Sequence, residues 1–139
     1  MTTTNSEQET IDFAKQFALS TQTPTIILLE GELGAGKTCF VRGLCEGLGG
    51  DPRQVSSPTF AIIQEYTIEK GKRLIHIDAY RLSGEEELES IGWEELLQDN
   101  DAIIAIEWAS RIKNATPTTA ITIDIAHLDI SSRELTISH

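Results

Sequence analysis

The chain has 139 residues, enough for one domain with a real core over residues 1–139 but not for a second substrate-binding lobe. Eleven Lys and Arg stand against 22 Asp and Glu, and the net charge of −11 repels phosphate backbones. Autonomous binding to DNA or RNA is not expected, and any RNA would be met through a partner that supplies basic surface. Plain solubility explains the charge equally well.

In chain order, "MTTTNSEQET" is polar, with neither the basic start nor the apolar stretch of a secretory signal. Ser6 and Glu9 have capping-box form, and Ile11, Ala14, Phe17 and Ala18 recur at helical spacing. A helix is predicted there, from Ser6 to Ser20. "TIILLE", Thr25 to Glu30, is β-branched and apolar without alternation, as suits a strand buried on both faces of a parallel sheet. The next segment, "KTCFVRGLCEGLG", carries Phe40, Val41, Leu44 and Leu48 at helical spacing, and Gly49-Gly50 ends that helix.

"DPRQVSSPTF" is a polar loop with two prolines. "AIIQEYTI" and "RLIHIDAYRL" flank the turn-like "EKGK" and predict an antiparallel hairpin. "SGEEELESIGWEELLQD" opens on a Ser-Gly cap and an acidic first turn, which favours one or two short helices. "AIIAIEW" is a second all-apolar strand, and the alternation over Ala120 to Leu128 and Arg133 to Ser138 predicts an edge hairpin. With the P-loop spacing Gly31-x-x-x-x-Gly36-Lys37-Thr38 between the first buried strand and its helix, the parallel-type strands, helices and hairpins imply an α/β domain of three layers, resembling P-loop NTPases. Its mixed central sheet would have parallel core strands plus antiparallel hairpins. No apolar run reaches the roughly 18 residues of a membrane span, so no membrane association is expected. Cys39 and Cys45 fall on different helical faces, so they are expected as free thiols in a reducing cytoplasm rather than a disulfide.

The chemistry concentrates in "GELGAGKT", where Gly31-x-x-x-x-Gly36-Lys37-Thr38 is the spacing of a phosphate-binding P-loop. With Gly at about 7% of residues, such a match arises by accident in roughly a few chains per thousand of this length. A buried strand before it and a helix after it supply the required context. Glycine lets the backbone approach a polyphosphate, and the loop N–H groups with the helix N-terminus form an anion-binding nest. Gly31, Glu32, Leu33, Gly34, Ala35 and Gly36, followed by Lys37, Thr38 and Cys39, are therefore the expected nucleotide-binding segment. Lys37 is expected along the β- and γ-phosphates, and the Thr38 hydroxyl on Mg²⁺.

Mg²⁺ also needs a carboxylate near the end of a neighbouring strand. Glu107 ends the apolar "AIIAIE", where a lone charge is costly without a cation or hydrogen bonds. Asp78 lies in "HIDAY", where strand alternation puts His76, Asp78 and Tyr80 on one face. An exposed strand residue would explain Asp78 as well, and a buried ion pair would explain Glu107. The Asn-Lys-x-Asp signature of guanine recognition is absent, which favours ATP.

"GELGAGKTCF", "SSPTF" (Ser56 to Phe60), "HIDAYRL" (His76 to Leu82) and "IEW" (Ile106 to Trp108) come in an order and spacing that resemble the TsaE family of small bacterial ATPases. The likeness extends over nearly the whole chain. It implies a role in making N6-threonylcarbamoyladenosine beside the anticodon of tRNA, with ATP and Mg²⁺ as cofactors. The implied partner is the TsaB–TsaD heterodimer, in which TsaD is the transferase, so that tRNA is met only through the complex. It further implies Lys37 and Thr38 at phosphate and metal, and Asp78 and Glu107 as the acids of hydrolysis, with Glu107 the preferred Mg²⁺ partner. Thr59 would sit in a switch-like loop sensing the γ-phosphate. Trp108 would pack at the nucleotide or partner surface, with ordinary core packing as the competing account. Two departures stand out: Cys39 where many relatives have a second Thr, and Ala109 in place of a Pro.

A stand-alone metabolite kinase fits less well. Such enzymes close a basic lid over the acceptor, and Gly84 to Asp101 contains no Lys or Arg. A nucleotide-sensing adaptor that hardly turns ATP over differs from the first reading only in its response to partners.

Overall fold

Two apolar strands set the middle of the fold in the computed structural model of the chain, which describes residues 1–32, 34–55, 63–82 and 85–138. Strand β2 (Thr25–Glu30) lies parallel to β5 (Ala102–Glu107) on one side and to β6 (Ile121–His127) on the other. Every residue of β5 is buried, as an unalternating sequence demands. Around this centre, β3 (Ile63–Thr67) pairs antiparallel with β4 (Arg73–Asp78), which runs parallel to β5. On the far side, β7 (Arg133–Ser138) pairs antiparallel with β6. With β1 (Thr2–Thr4) outermost, the sheet order among the described residues is β1-β7-β6-β2-β5-β4-β3.

The outermost strand, β1 (Thr2–Thr4), corrects the sequence reading in two ways. The polar N-terminus is a strand, and the β6–β7 hairpin is not the sheet edge, because β1 covers β7. Three threonines are too short for any periodic signal, yet they are β-branched and satisfy the otherwise open edge of β7. Thr4 is buried and its hydroxyl meets that of Thr10 at 2.7 Å, which ties the strand to the first helix.

One face of the sheet is covered by α1 (Glu7–Leu19) and α2 (Lys37–Gly47). Ser6 caps α1 by accepting from the Glu9 amide, as its pattern predicts. The helices approach closely because Gly43 and Gly47 of α2 face Ala14 and Ala18 of α1. A Cβ on Gly43 would stand 2.2 Å from the Ile11 carbonyl oxygen, and one on Gly47 2.7 Å from the Ala18 Cβ. Phe13 and Phe17 then close over Phe40. The opposite face packs Ile75, Ile77, Ile104 and Ile106 under a layer of short segments. These are 3-10 turns at Ala79–Arg81, Glu85–Ile91 and Ala109–Ala115, and the single-turn α3 (Trp93–Leu97). Three layers result, one of regular helices and one of turns.

A second correction lies at the end of β4. The predicted strand continued to Leu82, but the chain turns after Asp78, whose carboxylate accepts from the Tyr80 amide at 3.0 Å. Tyr80 therefore leaves the strand face that His76 and Asp78 share. A side chain that caps its own following backbone competes with the ladder, and here it wins.

Candidate functional site: a phosphate loop facing a buried carboxylate

The loop from Gly31 to Gly36 joins β2 to α2 at the carboxyl end of the parallel strands. Its glycines answer different demands. A Cβ on Gly31 would lie 2.5 Å from the Ile125 carbonyl oxygen, so crowding excludes one. Gly34 and Gly36 have open space around them but adopt φ of +80° and +107°, a backbone that L side chains disfavour. The helical ladder begins with the Phe40 amide on the Gly36 carbonyl at 2.9 Å. That leaves the amides of Lys37, Thr38 and Cys39 at the open, positive end of α2. Within the loop the Ala35 amide donates to the Glu32 carbonyl at 3.0 Å, and Leu33 lies outside the described residues.

Lys37 is 5% exposed, and its ammonium donates to the carbonyls of Gly31 at 2.5 Å and Glu32 at 3.1 Å. Burial pushes its pKa down, while the carboxylates of Glu107, Glu30 and Asp78 hold it up. The Trp108 ring covers it, with Nζ 3.9 Å from the ring centroid. Trp108 itself adopts a φ of 59°, and its amide donates to the Leu29 carbonyl at 3.3 Å. The Tyr80 ring packs tilted against Trp108 with centroids 5.1 Å apart, and the Arg111 guanidinium lies 5.0 Å from the tyrosine ring. Trp108 therefore lies at the phosphate loop rather than in the core.

Glu107, the last residue of β5, is 6% exposed and faces the first turn of α2. The Thr38 hydroxyl donates to its Oε2 at 3.4 Å. Behind it, His76 Nε2–H donates to the same oxygen at 2.5 Å, and His76 is fully buried. His76 Nδ1 lies 3.3 Å from the Tyr66 hydroxyl, which also bonds the Gln64 side-chain oxygen. Burial pushes the Tyr66 phenol up to about 12, with smaller contributions from Cys45 and Glu107, so it stays protonated. Asp78 is register partner to Glu107 across the β4–β5 pair. The structure thus brings Lys37, Thr38, Asp78, Glu107 and Trp108 to one mouth. Thr59, with "SSPTF", lies outside the described residues.

Cys39 turns away from this mouth: its thiol donates to the Glu7 carboxylate at 3.1 Å, and burial first, then Glu7, pushes it up to about 11. Cys39 and Cys45 are both free thiols, as expected.

Three contributors were given no role at the site by the sequence alone. His76 stood in a quoted motif, but only the parallel register puts it behind Glu107. Glu30 accepts from the Ser110 amide at 2.9 Å, and burial raises its pKa despite that bond. Arg133, from the C-terminal hairpin, donates Nε–H to the Ala35 carbonyl at 2.9 Å and reaches the Gly34 carbonyl at 3.4 Å, bracing the loop. Nothing in the sequence links residues about a hundred positions apart except the fold that joins them.

The donor set suits a hard cation held together with phosphate. Among the described residues no group of three or more His, Cys, Asp or Glu converges to form a protein cage. A hydroxyl and a carboxylate on facing elements match Mg²⁺, which takes one or two protein oxygens and leaves the rest to phosphate and water.

A family model described as "Threonylcarbamoyl adenosine biosynthesis protein TsaE" matches residues 4–135. The chain is 38% identical over 135 residues to a tRNA threonylcarbamoyladenosine biosynthesis protein TsaE from Rickettsia bellii, covering 97% of this chain and 92% of the relative. A protein of the same name from Aquifex aeolicus is 38% identical, with 95% and 90% covered. Among solved structures, Bacillus subtilis YdiB superposes with a TM-score of 0.74 at 31% identity, covering 98% of this chain and 82% of that one.

Proposed function

This chain belongs to the TsaE family, and from that premise we propose that it binds and hydrolyses ATP in the making of N6-threonylcarbamoyladenosine on tRNA. The observation that carries the reading is the facing pair Thr38 and Glu107, 3.4 Å apart at the open end of the phosphate loop. Bound Mg²⁺ would neutralise polyphosphate charge, with the Thr38 hydroxyl and the Glu107 carboxylate as the groups that hold it. Lys37 supplies a fixed ammonium for the β- and γ-phosphates, and the amides of Gly34, Gly36, Lys37, Thr38 and Cys39 supply the nest. Asp78, beside Glu107 in register, shares the acidic work of orienting water. The motif match keeps Thr59 as the sensor of the γ-phosphate.

The chain acts on partners rather than on the modified base. It is short, it carries a net charge of −11, and no helix among the described residues is long and apolar enough to cross a membrane. A cytoplasmic TsaB–TsaD heterodimer supplies the transferase and the surface for tRNA, and ATP turnover in this chain resets that pair between cycles. The test is the ATPase rate with and without the heterodimer, alongside modification of tRNA over several turnovers. Stimulation of the rate, and loss of repeated turnover when this chain is omitted, are expected. An unstimulated rate with full modification would remove the proposal.

A further inference from the structure

Glu107 has an apparent alternative partner. Lys37, in the same mouth, attracts it electrostatically, and a direct pair would occupy the phosphate-binding cation and the metal-binding anion at once. The structure shows neither group so engaged. Lys37 donates to the carbonyls of Gly31 and Glu32, while Glu107 accepts from His76 and Thr38. Tyr66 on β3, His76 on β4 and Glu107 on β5 form a row across three adjacent strands, ending at the phosphate loop. Because His76 is fully buried and Tyr66 is 4% exposed, water does not compete for these bonds.

We propose that His76, steadied by Tyr66, is the positioning residue that fixes the Glu107 carboxylate toward Thr38 and away from Lys37, keeping the two opposite charges separately available. The inference rests on the reading of Thr38 and Glu107 as the Mg²⁺ pair. A carboxylate at a strand end has several rotamers, and the imidazole N–H at 2.5 Å selects one of them. The cation site is therefore set in advance of metal. Removal of such an outer partner costs metal sites about 10–100-fold in affinity or activity.

The test uses ADP binding to the whole chain by calorimetry, with EDTA and across a MgCl₂ titration, so that no hydrolysis is needed. His76→Leu keeps bulk and removes the donor; His76→Gln restores an N–H near the Nε2 position; Tyr66→Phe removes only the hydroxyl. For His76→Leu, metal-free ADP affinity should stay within about twofold, while the Mg²⁺ needed for half-maximal enhancement rises about 10–100-fold. His76→Gln should recover most of that shift, and Tyr66→Phe should show a smaller shift of the same sign. A wild-type Mg²⁺ midpoint in His76→Leu would overturn the proposal. Equal loss of ADP affinity with and without metal, unrelieved in His76→Gln, would overturn it too. If His76→Leu does not fold, Tyr66→Phe decides: a shifted midpoint at normal metal-free affinity supports the positioning role, and an unshifted one refutes it. Wild-type protein that binds ADP more tightly with Mg²⁺ but hydrolyses no ATP beside the heterodimer would defeat the ATPase reading and leave this test standing.

Discussion

The two faces of the sheet are built on different principles. The α1–α2 face is a close-packed pair of regular helices whose contact depends on glycine against alanine, and it carries the phosphate loop on its second helix. The opposite face is a layer of 3-10 turns, and it carries Trp108, Tyr80 and the Asp78 turn around the mouth of the site. Regular helices with interdigitated side chains are stiff, whereas short turns have few internal hydrogen bonds to lose. The division places the loop of residues 31–36 on the helical side and Trp108, Tyr80 and the Asp78 turn on the side of the turns.

The largest expected effect tests the stiff side at its functional point. Lys37→Ala should cut ADP and ATP affinity by about 100-fold or more in calorimetry, because a desolvated cation on phosphate has no substitute in an acidic chain. Next, Glu107→Ala should retain nucleotide binding but lower the partner-stimulated ATPase rate by at least about 100-fold. A normal rate in that variant would show that Glu107 is not the metal partner. The same variant orphans the buried His76, so a loss of about 1–3 kcal/mol in denaturant stability should accompany it.

The helix contact itself is probed by Gly43→Ala. A methyl 2.2 Å from a backbone oxygen forces α1 and α2 apart, and the cost of about 1–3 kcal/mol should exceed the gain in helix propensity. Thermal melting should show the loss, with ADP affinity near normal in the folded protein. On the turn side, Trp108→Ala removes the ring over Lys37, and a cation–π contact of this kind is worth about 0.5–2 kcal/mol. ADP affinity should change by less than in Lys37→Ala, and quenching or enhancement of Trp fluorescence on ADP binding should vanish in this variant while Trp93 remains. If the signal survives, the ring over Lys37 is not its source.

The smallest effect is electrostatic. Burial raises the Glu30 pKa, so folded protein binds that proton more tightly than unfolded chain does. The stabilising contribution of the protonated form is complete below the ordinary carboxylate range, and it is lost as pH rises through the raised folded value. Glu30→Gln keeps an oxygen for the Ser110 amide without the charge. Its melting temperature should therefore exceed that of the wild type at pH 7, and the difference should shrink as pH falls toward 4.

Much was readable without coordinates. "TIILLE" and "AIIAIE" reveal buried parallel strands because neither alternates, and the P-loop reveals itself because glycine at fixed spacing has a steric purpose. Ser6 announces its helix through a cap. Where prediction failed, the information was short or non-local. Three threonines at β1 hold no period, and the strand after His76 ends because Asp78 bonds its own following amide, a choice between two satisfactory backbone arrangements. Arg133 reaches the loop from the other end of the chain, and no local pattern records that.

By itself the sequence determined the phosphate-loop spacing and the strand and helix on either side of it, because each depends on residues within a few positions of one another. Only the tertiary structure decided that His76 stands behind Glu107, that Trp108 lies over Lys37 and that Arg133 braces the loop. Those contacts follow from strand register and chain crossing, which pair residues that no local spacing connects.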